Sequence, residues 1–279
     1  MNNIAYYNGT YAPLEELTIP ALDRAVYFGD GVYEAAYFRN GIPFALDDHL
    51  KRFKNSLGFV KIAYPTESEE ELEKILRGLC DKIGGEGIVY WQTSRATAPR
   101  NHAFPENAKS NLLAWAKHKP LGDFTAPVKL MTIDDIRYKM CNVKTLNLMP
   151  NIMASQAAKE SGCDEAVFVR DGLVTEGSHS NIHIIKDKKI ITHENGSLIL
   201  PGTVRSHLLR VAEKLGIAYE ERPFAPEEMY TADEVLVTSA TTFFRHACEL
   251  NGRAVGMRDN ETYMQLVGEY MQWMKRETE

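Results

Sequence analysis

The chain predicts an α+β protein of two domains. Strand-like and helix-like stretches are mixed without the regular βαβ alternation of a doubly wound sheet. Asn-Gly and Asp-Gly pairs separate short apolar runs, as hairpin turns do. The stretch Lys119-Pro120-Leu121-Gly122-Asp123 breaks the pattern as a linker, which sets a boundary between a domain over residues 1–119 and one over 120–279. With 279 residues, 44% hydrophobic and 25% charged, the chain can bury that much core and is not a disordered sequence.

Near the start, Ile4–Tyr7 and Thr10–Ala12 form a hairpin around Asn8-Gly9, the preferred type I′ pair. Val32–Phe38 and Ile42–Leu46, rich in aromatic and branched residues, form a second around Arg39-Asn40-Gly41. Asp47 is placed to cap a helix reaching about Val60, with Leu50, Phe53, Leu57 and Val60 on one face. Thr66, with Glu69 three residues on, reads as a capping box that opens a second helix. Leu72, Ile75, Leu79 and Ile83 form its apolar stripe, and Gly84-Gly85 ends it. Gly87–Ala96 and Asn111–His118 read as buried strands. Beyond the linker come a strand near Val128–Ile133, a helix near Asn151–Ser161, and strands at Glu165–Val169, Leu173–Thr175 and Asn181–Ile185. Asp171-Gly172 is a tight turn between two of them. Thr203–Leu215 is an amphipathic helix, with Val204, Leu208, Val211 and Leu215 aligned and Gly216 as its stop. A strand at Glu234–Ser239, a hairpin over Ala247–Val255 around Asn251-Gly252, and a final helix with Tyr263, Leu266, Val267, Tyr270 and Trp273 on one side complete the chain.

Thirty-eight acids against 32 bases give a net charge of −6, which disfavours nucleic acid or an anionic membrane as partner and favours a small-molecule ligand. No apolar run approaches the roughly 18 residues of a membrane-spanning helix. The N-terminus lacks the basic and apolar regions of a secretion signal, so a cytoplasmic protein is expected, and Asn8-Gly9-Thr10 and Asn195-Gly196-Ser197 read as turns, not glycosylation sites. Cys80, Cys141, Cys163 and Cys248 form no CxxC pair and no zinc spacing, so no metal is expected; they read as small buried hydrophobes. No GxGxxG follows a strand, and GxxxxGK[ST], HExxH and GxSxG are absent.

Five groups of residues remain as candidates for chemistry. Arg52 lies three residues after His49, so both point to one helical face and can share an anion, unless they are merely solvated helix charges. Pro201-Gly202-Thr203 offers a glycine before the positive end of a helix, and Thr238-Ser239-Ala240-Thr241-Thr242 offers hydroxyls and backbone donors at a strand end. Either also reads as an ordinary cap or turn. Lys144 sits in the mostly uncharged stretch Cys141–Leu148; a neutral amine is the form that condenses with an aldehyde, although a surface lysine whose stem covers Leu146 and Leu148 has the same pattern. Glu176 stands in Thr175-Glu176-Gly177-Ser178-His179-Ser180-Asn181, where a lone turn acid is the plain alternative.

Together with Asp23-Arg24-Ala25 and Phe28-Gly29-Asp30-Gly31-Val32-Tyr33-Glu34, the order and spacing of His49-x-x-Arg52, Lys144 with Leu146-Asn147, Thr175-Glu176-Gly177-Ser178 and Gly202-x-x-Arg205 resemble the class IV pyridoxal-phosphate aminotransferases. This is the fold type IV family of D-amino acid and branched-chain transaminases, and the likeness runs nearly the whole chain. It implies a two-domain α+β fold with pyridoxal 5′-phosphate as cofactor. Lys144 then holds the cofactor as a Schiff base and moves the substrate Cα proton. Glu176 faces the pyridine nitrogen and keeps it protonated. Arg52 binds the phosphate with groups around Thr203, Val204, Ser239, Ala240 and Thr241, and Leu200 packs against the ring.

Within the family, Arg95-Ala96-Thr97-Ala98-Pro99-Arg100-Asn101-His102 is similar to the Arg-x-His loop of D-amino acid transaminases. There the arginine, the histidine and the tyrosine matching Tyr33 hold the substrate α-carboxylate, and the loop comes from the neighbouring subunit, so a homodimer is implied. The resemblance implies transfer of the amino group of D-alanine or a similar D-amino acid to 2-oxoglutarate, giving pyruvate and D-glutamate. Arg-x-His argues against a branched-chain L-amino acid transaminase, an (R)-amine transaminase or an aminodeoxychorismate lyase on the same fold, and Lys144 with Glu176 argues against a binding protein without turnover. Val204 and Ala240 depart from the family, where hydroxyls are frequent, which implies weaker cofactor retention unless Thr203 and Thr241 substitute. Phe243-Phe244-Arg245-His246 also departs, which bears on the side-chain pocket.

Overall fold

The computed structural model describes residues 3–123 and 125–279. It divides into two compact units, Met1–Leu121 with Val143–Asn147 and Met274–Glu279, and Gly122–Asn142 with Leu148–Trp273. The segment around Lys144, assigned to residues 120–279 from the sequence, thus packs with the first unit.

The first unit contains β1 (Asn3–Tyr7), β2 (Thr10–Ala12), α1 (Arg24–Phe28), β3 (Gly31–Arg39), β4 (Ile42–Pro43), α2 (Leu46–Val60), α3 (Glu69–Ile83), β5 (Glu86–Ser94) and β6 (Asn111–His118). Its sheet is antiparallel throughout, in the order β2-β1-β6-β5-β3-β4. Asn8 and Asn40 take positive φ in the two hairpin turns, which is why asparagine and glycine stand there. Leu50, Phe53 and Leu57 of α2 and Leu72, Leu76 and Leu79 of α3 pack with Val32, Phe38, Val89 and Trp91 of the sheet in one core. Trp91, Phe38 and Phe53 are wholly buried, and each such side chain contributes about 1.5–3 kcal/mol.

Both helices begin differently from the sequence expectation. Ala45, in left-handed backbone, precedes α2 without a side-chain cap, and Asp47 lies inside the first turn, where its charge suits the positive helix end. In α3 the cap is Ser68, whose hydroxyl accepts from the Glu71 N–H at 3.3 Å, while Glu71 accepts from Glu67 N–H at 2.9 Å. The Thr66 hydroxyl instead donates to the Ser68 carbonyl. Three successive acids, Glu69, Glu70 and Glu71, fill the first turn and favour the later start.

The second unit contains β7 (Val128–Asp134), α4 (Met149–Glu160), β8 (Glu165–Arg170), β9 (Leu173–Gly177), β10 (Asn181–Lys186), β11 (Lys189–Thr192), α5 (Thr203–Leu215), β12 (Tyr219–Glu221), α6 (Pro226–Thr231), β13 (Glu234–Ser239), β14 (Phe243–Leu250) and β15 (Arg253–Ala254). The chain ends in α7 (Asn260–Thr278). The sheet runs β12-β11-β10-β13-β14-β7-β8-β9, with β15 paired to β14 off this path. β14 with β7 and β7 with β8 pair in parallel at its middle, and β11 with β12 pair in parallel at one edge. Phe243 and Phe244 are core residues: the Phe244 ring stacks on Tyr270 of α7 at 4.6 Å and Phe243 meets it edge-on at 5.3 Å. The departure noted at these positions therefore belongs to the packing of α7. Cys80 is buried, whereas Cys141, Cys163 and Cys248 are only half-buried, and all four are free thiols.

Candidate active site

Lys144 is placed by backbone pairing. Its carbonyl accepts from the Tyr33 N–H at 2.9 Å, Leu146 N–H donates to the Gly31 carbonyl at 3.0 Å, and Val32 bridges Thr145, so residues 143–146 lie antiparallel against the start of β3. Gly31 permits this approach: a Cβ there would stand 2.5 Å from the Thr93 carbonyl oxygen and 2.7 Å from Leu146 Cδ1. The half-buried Lys144 ammonium lies over the Tyr33 ring, 4.3 Å from its centre.

Strand alternation turns the next residue of β3, Glu34, to the opposite face, under α2. Arg52 grips it with Nε on Oε1 at 2.6 Å and Nη2 on Oε2 at 2.8 Å, and His49 Nδ1 lies 2.9 Å from Oε2. His49 and Arg52 thus do converge on one anion, and that anion is a carboxylate of the chain itself. Burial pushes the Glu34 carboxyl up, but the Arg52 charge and the hydrogen bonds from Arg52 and His49 outweigh it and hold it at about 2.

Arg100 and His102 lie on an exposed loop beside α1. The Arg100 guanidinium stands 5.0 Å from the centre of the Phe28 ring, and the His102 ring 5.1 Å from the same centre. Among the described residues no carboxylate pairs with Arg100.

In the second unit, Glu176 is buried at the end of β9. One oxygen accepts from Arg137 Nη1; the other accepts from the Leu200 N–H at 2.8 Å and from Asn181 Nδ2 at 3.1 Å. A carboxylate, which only accepts, matches these three donors. Arg137 is itself held by Asp135, with Nη2 to Oδ2 at 2.8 Å, and lies over the Phe168 ring at 4.3 Å. Burial opposes the Arg137 charge, yet Asp135 and Glu176 raise its pKa further; burial likewise opposes the Asp135 charge, and Arg137 and Arg170 draw that carboxyl down to about 2. Nothing in the sequence marks Arg137, because no local spacing ties a loop arginine to an acid 39 positions away.

Leu200 meets Glu176 through its backbone, and its carbonyl accepts from Asn181 Nδ2 at 3.0 Å. Two residues on, Gly202 is the N-cap of α5 and provides no side-chain cap, while Thr203 and Val204 in the first turn are buried. A Cβ at Gly202 would stand 2.0 Å from Asn181 Oδ1. At the β13–β14 turn, Ser239 Oγ lies 2.7 Å from Thr242 Oγ1, accepts from the Thr242 N–H at 3.2 Å and lies 3.4 Å from Thr241 Oγ1. Thr242, part of the hydroxyl-rich stretch but not of the set the family resemblance implies, is the closer partner, and Ala240 adds no hydroxyl.

Residues 31–250 match the family model for amino-transferase class IV. The chain is 36% identical over 253 residues to the D-alanine aminotransferase of Bacillus licheniformis, spanning 90% of this chain and 89% of that protein. It is 34% identical to the D-alanine aminotransferase of Staphylococcus aureus strain MSSA476, over 90% of each. Among solved structures, the branched-chain amino acid aminotransferase from Escherichia coli superposes with a TM-score of 0.89 at 18% identity, over 100% of this chain and 96% of that one. The T.th. branched-chain amino acid aminotransferase with pyridoxamine 5′-phosphate superposes with a TM-score of 0.87 at 21% identity, over 99% and 95%. The chain belongs to the class IV aminotransferases, a pyridoxal-phosphate-dependent family. The family resemblance and the α+β fold class read from the sequence are both borne out.

Proposed function

We propose that this aminotransferase moves the amino group of D-alanine or a similar D-amino acid to 2-oxoglutarate, giving pyruvate and D-glutamate, as a cytoplasmic homodimer whose Arg100–His102 loop serves the neighbouring subunit. The observation that carries the D-amino acid reading is the pairing of Arg100 and His102 on one ring with no carboxylate of the described chain claiming the guanidinium. A planar guanidinium beside an imidazole suits a substrate α-carboxylate, and fixing that group fixes the face of Cα presented to the base. The D-alanine aminotransferase relatives support the same substrate. Four free thiols suit a reducing compartment.

The donor set fits pyridoxal 5′-phosphate. Lys144 offers the amine that holds it, and the acceptor-only carboxylate of Glu176 suits a protonated ring nitrogen. The uncapped first turn of α5 at Thr203 and Val204, the hydroxyls of Ser239, Thr241 and Thr242, and the guanidinium charge of Arg52 suit a phosphate. Leu200 would pack on the ring. When bound, the cofactor supplies an electron-accepting ring that eases loss of the Cα proton. Lys144 is the base that takes and returns this proton, and Tyr33 helps to hold the carboxylate beside it.

Purified enzyme is incubated with 2-oxoglutarate and D-alanine, L-alanine or L-leucine, and each keto product is measured. Pyruvate from D-alanine alone is expected, and Lys144→Ala is expected to keep its fold by circular dichroism while losing turnover. Preferential use of L-leucine, or sustained turnover by Lys144→Ala, contradicts the reading.

A further inference from the structure

The loop that carries Arg100 and His102 is tied to α1 at several points. Arg24 N–H donates to the Ala96 carbonyl at 2.9 Å and Ala98 N–H to the Leu22 carbonyl at 3.0 Å. Arg24 Nη1 donates to the Asn101 carbonyl at 2.6 Å, and the Tyr27 hydroxyl to the Ala98 carbonyl. These bonds fix the loop backbone; they leave the Arg100 and His102 side chains unconstrained.

The side chains meet at Phe28. Its ring has the Arg24 guanidinium at 4.8 Å, that of Arg100 at 5.0 Å and the His102 ring at 5.1 Å, tilted by 48°. Arg24 is also neutralised, since its Nε donates to Asp30 Oδ2 at 2.7 Å. Arg95 takes the same carboxylate through Nε and Nη2 at 2.9 Å each. Two arginines occupy Asp30, so this nearby acid does not claim Arg100. We propose that Phe28 is a positioning residue, whose ring orients the Arg100 guanidinium and the His102 imidazole for a substrate carboxylate. An exposed arginine samples many rotamers, and a ring face that attracts the cation without using its N–H groups narrows them while leaving the donor fork for the ligand. An acid in the place of the ring would fix Arg100 equally well but would occupy the fork.

The proposal rests on the reading of Arg100 and His102 as the carboxylate site, and the test separates the two. KM and kcat for D-alanine are measured for the holoenzyme and for Phe28→Leu, Phe28→Tyr, Arg100→Ala and Phe28→Leu/Arg100→Ala, with propionate binding followed by calorimetry as a readout apart from turnover. Phe28→Leu is expected to raise KM and the propionate Kd about threefold to tenfold with kcat within about twofold. Phe28→Tyr, which keeps the ring, restores both, and the leucine change adds little once Arg100 is gone. Wild-type KM and Kd in Phe28→Leu, alongside a large rise in Arg100→Ala, overturn the positioning role and leave the carboxylate site standing. No rise in Arg100→Ala overturns both.

Discussion

At the scale of single residues, the Glu34–Arg52–His49 cluster shows how a correct spacing argument can stop one partner short. Helical spacing put His49 and Arg52 on one face with an anion between them. The identity of the anion depended on β3, whose alternation sends Tyr33 towards Lys144 and Glu34 under α2. Because Glu34 is fully buried, Glu34→Gln leaves the Arg52 charge without its counter-charge, at an expected cost of about 3–5 kcal/mol in urea unfolding at neutral pH. The pH dependence has a definite sign. The Glu34 carboxyl lies at about 2 when folded against 4.5 in its ordinary state, a difference of about 3 kcal/mol. That stabilisation is complete above about 4.5 and is lost as the pH falls towards 2. The glutamine variant should lack this part of the acid-side loss; equal stability at neutral pH, or an identical acid profile, counts against the buried pair.

At the scale of elements, α5 was legible to the residue, because a glycine N-cap, an apolar stripe and a terminal glycine mark Thr203–Leu215. What lay outside local pattern was the link between its start and Glu176: Asn181 Nδ2 bonds both Glu176 and the Leu200 carbonyl, and Asn181 Oδ1 fills the space in front of Gly202. Gly202→Ala therefore displaces Asn181 from two hydrogen bonds, one of them to a charged group, without any backbone strain, since φ is −60°. Cofactor affinity, followed by absorbance during dialysis, is expected to fall roughly tenfold or more; undiminished retention would mean that Asn181 does not hold Glu176 in place. The elements that were not foreseen, α1, β11, β12 and α6, are three to six residues long, too short for a helical or alternating pattern to declare itself. The shifted starts of α2 and α3 have the same origin, since Ala45 carries no capping side chain and Ser68 competes with Thr66 for one end.

At the scale of the whole molecule, the α+β class and the family were legible because motifs spread over the chain agreed in order, not because any one was specific. The grouping of Lys144 with the first unit was not, since it follows from backbone pairing of residues 143–146 with β3 across a long stretch of sequence. Arg137 was invisible for a related reason: its partners Asp135, Thr175 and Glu176 come together only when β7, β8 and β9 form one sheet. The central proposal is that, of the 17 lysine amines in the chain, Lys144 alone carries the cofactor. Borohydride reduction of the purified protein, followed by peptide mapping, tests it most directly. A pyridoxyl group on the peptide containing Lys144 is the predicted result; a pyridoxyl group on another lysine, or none in protein supplied with pyridoxal 5′-phosphate, would contradict it.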